Sequence, residues 1–407
     1  MALVIEAGIS MLSLLNVLKS RVVIITTIVL SLLILCSLKS HTDIAARETN
    51  RHESANRQVD FTQAEMVLNL LRSSANGNVD PQMIEYVLNV HGTALIISQQ
   101  NISRTVTREQ YRVLLSALNR GELPDIAPVD ASERSRRGVE GLRKDVWFAL
   151  RWGRTKTNLL AERIEEIKRH DFSRNVKALA IRFLPEPVEL SLHLYIVMGG
   201  RAGAAALSGD EIYFDVLATS YRAANGALQY PAPAEIGEYF AHEIHHIGLS
   251  QILNRTRRHL RLNNQEQQAF SFLTALVMEG SASYLINAHR SLDVMSRDPQ
   301  FTESLKKGDE LLKLSEQVLR SVLESNLDGE AYDKATTPFL GSGWHSAGAI
   351  MLAAIDQANG LRAMMKVLRD PRKLLVEYNR AVAKLKSTIG RQPFDTKLAG
   401  RISSMGA

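Results

Sequence analysis

The hydrophobic pattern changes character several times along the chain. Residues 22–38 are 17 consecutive uncharged, mostly apolar positions, with Lys19 and Arg21 just before them. That length sits at the lower limit for a membrane span and slightly above a signal-peptide core. From residue 39 to residue 60 the chain is polar and charged without periodicity and reads as a tether. Helical spacing begins at 61, through Met66, Leu68, Leu70 and Leu71, then Ile84, Val87 and Leu88. Gly77 and Pro81 bracket a turn between the two runs. Residues 132–182 predict further helices, with Trp147, Phe148, Leu150 and Trp152 in the core. At Pro185 and Pro187 the pattern switches to strands, one over 190–198 and a returning one over 211–216, joined by a loop with Gly199, Gly200 and Gly203.

Beyond the strands, Pro231 and Pro233 mark a helix start. Ile236, Tyr239, Phe240, Ile247, Leu249 and Leu253 then recur at helical spacing. Residues 269–284 form an apolar helix, and 305–323 an amphipathic one. Another helix starts near Gly341, with Ser342 as its expected cap, and stops at Gly360. A last helical region covers 361–388, and the tail from 391 is expected to fray. The chain thus divides into a membrane segment (1–40), a tether (41–60), a helical part (61–184), a part with the strands and the later helices (185–390) and a tail (391–407). The fold class is mainly α, with a small β-hairpin or sheet before the central helix.

Composition adds few constraints. The 407 residues are 45% hydrophobic and 23% charged, ordinary for a globular body, and the net charge is only +6. Two basic clusters, Arg134, Arg136 and Arg137 and then Arg255, Arg257, Arg258 and Arg261, lack interleaved aromatics. They read as solvated faces or contacts to anionic lipid, and nucleic acid is not an expected partner. Cys36 is the sole cysteine, so no intrachain disulfide forms and a metal must use nitrogen and oxygen donors.

The chemistry lies at His242-Glu243-Ile244-His245-His246, an H-E-x-x-H pattern. On a helix His242 and His246 project from one face and can converge on one metal ion. Glu243, about 100° round, can take a proton from water at that metal. Tyr239, Leu249 and Leu253 share the histidine face, so the two imidazoles are buried and need partners. Two core histidines satisfied by hydrogen bonds are the bland alternative. His245 points off this face and reads as a structural residue or a support behind the ligands.

A third ligand must come from elsewhere. Gly248 falls one position too early for the longer metzincin pattern, and position 252 is Ile rather than His. Glu279 is the only formally charged residue between Glu266 and Arg290, in a stripe with Phe272, Ala275, Leu276, Ala282 and Ile286. A lone carboxylate there needs a cation or a change of protonation; the alternative is a buried glutamate bonded to Tyr or Arg. Gly280, Ser281 and Ala282 are small enough for two helices to approach closely.

Together, the H-E-I-H-H-I-G run and the downstream M-E-G-S-A resemble the gluzincin zinc peptidases. More narrowly, they are similar to a family of bacterial zinc-dependent peptidases of undefined physiological role, over roughly residues 180–380. The resemblance implies a helical catalytic domain, Zn²⁺ on His242, His246 and Glu279, Glu243 as general base and a peptide or protein substrate. It also implies a donor for the developing oxyanion from a later helix. Gly348, Met351 and Ile355 fit the family's spacing, but His345 stands where the family favours Tyr; Tyr284 and Tyr239 are reserves. One strand beside the cleft is expected to pair with an extended substrate or, equally, the hairpin only supports the zinc helix. The competing function is a membrane-anchored helical binding protein with a structural or vestigial metal site. Residues 22–38 are expected to be an uncleaved signal anchor with the body outside the cytoplasm, in the cell envelope; cleaved-signal and lipoprotein (Cys36) readings are the alternatives.

Overall fold

The computed structural model describes residues 59–406 apart from 102–105, 121, 131–132, 173–175, 201–202, 207–209, 227–228, 326, 328 and 386–391. The membrane segment expected at 22–38 lies outside these residues, as does the tether up to residue 58. The described chain is mainly helical, with one small sheet.

The sheet comprises β1 (Val59–Asp60), β2 (His193–Val197), β3 (Ala204–Ala206) and β4 (Glu211–Asp215), in the order β1-β2-β4-β3. The returning strand expected over 211–216 does not form a hairpin with 190–198. Instead β2 and β4 run parallel, Leu194 opposite Ile212 and Ile196 opposite Phe214. The reversal is made by β3, which runs antiparallel to β4. Its three alanines carry little strand propensity, so the sequence pattern could not reveal it; pairing with β4 extends it. Successive residues face opposite sides of the sheet. Leu194, Ile196, Ile212 and Phe214 join the main core, while Tyr195, Val197, Tyr213 and Ala205 pack with Leu95 and Ile96.

Val59 of β1 pairs with Leu194 of β2, and α1 (Thr62–Ala75) packs on β2. The two parts expected on either side of residue 185 therefore share one sheet and one core. Trp147 and Leu150 are buried as expected, but Phe148 is 45% exposed, because neighbouring helical positions point in different directions.

Six helices and a turn frame the functional region. A short helix, α2 (Val176–Ile181), packs on α3 (Pro233–Arg258). Pro233 sits in the first turn of α3, and the Glu235 carboxylate accepts the Ala232 backbone N–H at 2.7 Å. A reciprocal pair starts α4 (Asn264–Ser281): the Asn263 side chain accepts from Glu266 N, and the Glu266 carboxylate from Asn263 N, both at 3.0 Å. A π-helical turn, Ala282–Asn287, continues α4. Helix and turn together, Asn264–Asn287, are long and apolar enough to cross a membrane, yet 72% of the apolar window is buried inside this fold. After α5 (Pro299–Lys306) comes α6 (Gly308–Ser325), which packs on α4.

Next, α7 (Gly343–Asn359) makes the most extensive helix contact in the fold, with α4. Ser342 precedes it but its side chain makes no capping hydrogen bond, because the residue is already helical in its backbone angles. Gly360 ends it with φ +77°, as expected. The helical region expected over 361–388 is made of shorter helices, with a break at Asp370 and Pro371 before α8 (Leu374–Lys384). The tail is not frayed: α9 (Thr396–Ser403) buries Leu398, Ala399 and Ile402.

The α4–α7 crossing is made by Gly280 and Gly348. A Cβ on Gly348 would lie 1.9 Å from the Leu276 carbonyl oxygen, and one on Gly280 would lie 2.3 Å from the Gly348 carbonyl carbon. Only hydrogen fits at either position. Gly348→Ala should therefore lower stability by about 3 kcal/mol, the upper end of ordinary overpacking, because backbone cannot yield as a side chain can. Gly329→Ala, with open space around its Cβ, should change stability by less than about 1 kcal/mol. Denaturant melts of both variants check this, and equal effects would contradict it.

Candidate metal centre and active site

His242 and His246 are one helical turn apart on α3, and both are buried. Their Nε2 atoms lie 3.0 Å from each other. Glu279, near the end of α4, brings its Oε2 to 3.2 Å from His246 Nε2 and 3.9 Å from His242 Nε2. Zinc with four tetrahedral bonds of 2.0–2.1 Å sets neighbouring donors about 3.3 Å apart. The two imidazole nitrogens and the carboxylate oxygen lie near that spacing, the His242–Glu279 pair being the widest. The fold brings together all three residues that the sequence proposed as ligands.

His345 joins them from the first turn of α7. Its Nδ1 lies 3.3 Å from Glu279 Oε2 and 2.8 Å from Ser283 Oγ. His242, Glu279 and His345 place their donor atoms within 4.8 Å of one another, a group that could hold a metal. The ring also meets His242, at 5.7 Å between centroids, and Phe301 of α5, at 5.6 Å.

The donor chemistry fits a cation. His242 Nδ1 lies 2.5 Å from Asn287 Oδ1, an acceptor, so the ring carries its proton there and presents a bare Nε2 to the cluster. Facing one another without a cation, a lone pair and a carboxylate would repel. The titration directions report the same field. Burial works against the charge on His246, but the Glu279 carboxylate outweighs it and raises the imidazole above its ordinary value. Burial would likewise raise Glu279, yet His246 and His242 hold it well below the usual carboxylate range. Burial pushes His345 down to about 4, so it is neutral at pH 7.

Glu243 turns towards the sheet. Its Oε2 accepts the backbone N–H of Ala206, on edge strand β3, at 2.8 Å. His245 has a different fate. Its Nδ1 lies 3.1 Å from the Ala180 carbonyl in α2, and its Nε2 lies 3.0 Å from Ser281 Oγ in α4. Both nitrogens are satisfied and the ring is fully buried, so His245 ties three helices together. Of the reserve tyrosines, Tyr284 is committed to Asp356, its hydroxyl donating to Oδ2 at 3.1 Å. Tyr239 is half-buried, and its ring packs on Phe214.

A family profile described as "putative zinc dependent peptidase" (DUF5700) matches residues 87–387, most of the chain. The chain belongs to this family. The DUF5700 match begins well before residue 180, in keeping with the shared sheet and core. No curated protein and no solved structure matches the chain. Zinc is accordingly the metal of the DUF5700 site, whose nitrogen and oxygen donors suit it.

Three groups at the site escaped sequence reading: Asn287, Ser283 and the Ala206 N–H. A backbone donor leaves no trace in composition. Ser283 and Asn287 are polar positions within an apolar stretch, the only signal available.

Elemental analysis of the purified protein should find one zinc per chain. His242→Ala or His246→Ala should lose it, and Glu279→Ala should weaken its retention. Folded wild-type protein that takes up no zinc would overturn the metal reading.

Proposed function

We propose that the protein is a zinc peptidase that hydrolyses peptide bonds, with His242, His246 and Glu279 as ligands and Glu243 as general base. The convergence of the two α3 imidazoles and Glu279 within 3.0–3.9 Å, with Glu243 next to His242 in the chain, is the observation that carries this reading. A purely structural site needs no base. Zinc, when bound, supplies the Lewis acidity that lets water lose a proton near neutral pH.

Glu243 keeps Oε2 on the Ala206 N–H and takes that proton at Oε1. The water oxygen bonds to the carbonyl carbon, the C–N bond then breaks, and Glu243 delivers the proton to the departing amine. In this proposal His345 meets the carbonyl oxygen as its charge grows. For the neutral ring to donate from Nε2, the Ser283 hydroxyl must donate to Nδ1, 2.8 Å away. Edge strand β3 offers main-chain groups to an extended peptide, which suits a protein or peptide substrate. The location expected from the sequence belongs to the same proposal: residues 22–38 anchor the chain in a membrane, with the catalytic body outside the cytoplasm.

Glu243→Gln should keep the zinc and lower hydrolysis of a peptide library by roughly 10²–10⁴, because the amide cannot accept the proton. Equal turnover in mutant and wild type would remove Glu243 as base and favour a binding protein. His345→Phe should lower kcat by roughly 10²–10³ with zinc content unchanged; unaltered kinetics would take His345 out of the chemistry. For the anchor, full-length protein should stay with membranes through an alkaline wash, whereas a mature N-terminus near residue 40 would show a cleaved signal instead.

A further inference from the structure

The segment that follows Glu279 departs from regular geometry three times in succession. The helix widens into a π-turn over Ala282–Asn287. His289 and Arg290 then take φ values of +48° and +67°, the only non-glycine residues with positive φ among the described residues. Side-chain-bearing residues rarely adopt that region, and such departures persist where surrounding contacts enforce them.

Those contacts reach both neighbouring helices. His289 Nε2 lies 3.2 Å from Glu238 Oε1 on α3, one turn before His242. Arg290 grips Asp356 on α7 with two hydrogen bonds of 2.9 Å, from Nε and from an Nη. The Tyr284 hydroxyl donates to the same carboxylate, which is 5% exposed. The Arg290 backbone N–H closes back on the Tyr284 carbonyl at 2.7 Å. Between these anchors stands Asn287, its Oδ1 2.5 Å from His242 Nδ1. One extra residue in a helical turn rotates everything beyond it by about 100°, so the π-turn decides which face position 287 occupies.

We propose that Asn287 is a positioning residue for the metal: it fixes the tautomer and direction of the His242 imidazole, and the hook through His289 and Arg290 exists to hold it there. The hydrogen bond requires an acceptor at this position, since Nδ1 must carry the proton for Nε2 to be free. His246 Nδ1 is buried with no hydrogen-bond partner among the described residues. Among the candidate imidazole ligands on α3, His242 is thus the one that a protein group aims. The inference rests on the metal reading above, but it names a residue which that reading does not use.

The test is zinc affinity of the full-length protein, measured by competition with a chromogenic chelator, together with the visible absorption of the cobalt(II)-substituted protein. Asn287→Ala should weaken zinc binding roughly 10- to 100-fold and alter the cobalt bands, the usual consequence of losing such a partner. Asn287→Asp keeps an acceptor in the same place and should bind within about threefold of wild type. That rescue is what a merely space-filling residue would not give. Zinc affinity unchanged in Asn287→Ala, or equally lost in both variants, overturns the proposal. Should Asn287→Ala not fold, Asn287→Ser, too short to reach the ring, takes its place with the same two outcomes. Wild-type protein that binds no zinc sinks the peptidase reading itself, whereas wild-type binding with an indifferent Asn287 removes this inference alone.

Discussion

Backbone meets backbone where Gly280 crosses Gly348, and the candidate site depends on that contact. Glu279 precedes one glycine by a single residue, and His345 precedes the other by three. Because no side chain separates α4 from α7, the Glu279 carboxylate and the His345 ring come within 3.3 Å. Any larger residue at the crossing would push the helices apart and move both groups away from the zinc helix. Close packing leaves no slack to absorb such a change. The glycines therefore act on the chemistry through helix spacing, without touching a reacting atom.

Electrostatics then limits what this packing can tolerate. Crossing two helices this tightly leaves a carboxylate and several imidazoles with little water. The fold resolves the two histidine environments on α3 differently. At His245 the surroundings supply one acceptor and one hydroxyl, and the ring needs nothing else. At His242 and His246 the Nε2 atoms face each other and a carboxylate, an arrangement of donors that suits a divalent cation. Adjacent residues of one helix thus reach opposite outcomes, set by which neighbour stands against each face.

The sheet contributes through its edge. Parallel pairing of β2 and β4 buries both faces of the centre, with β1 at one edge and β3 at the other, against α3. There one backbone N–H holds the Glu243 carboxylate, so the strand that orients the proposed base is also the one that can meet an extended chain.

The sequence by itself determined the local facts. Helical periodicity and the Pro and Gly punctuation placed the zinc helix, its partner and the stop at Gly360. The four-residue spacing of His242 and His246 required one face, and the isolation of Glu279 in an apolar stripe marked it for a partner. These follow from covalent spacing and from the cost of burying charge, which act at short range. Only the tertiary structure decided the rest. Three alanines extend because β4 lies beside them, Ser342 fails to cap because its backbone is already helical, and the last helix docks although its sequence looks like a free tail. Asn287 reaches His242 across 45 residues through a π-turn and two strained residues, and no periodicity foretells that. Such features arise from long-range packing, where the energy of forming one element depends on where another already stands.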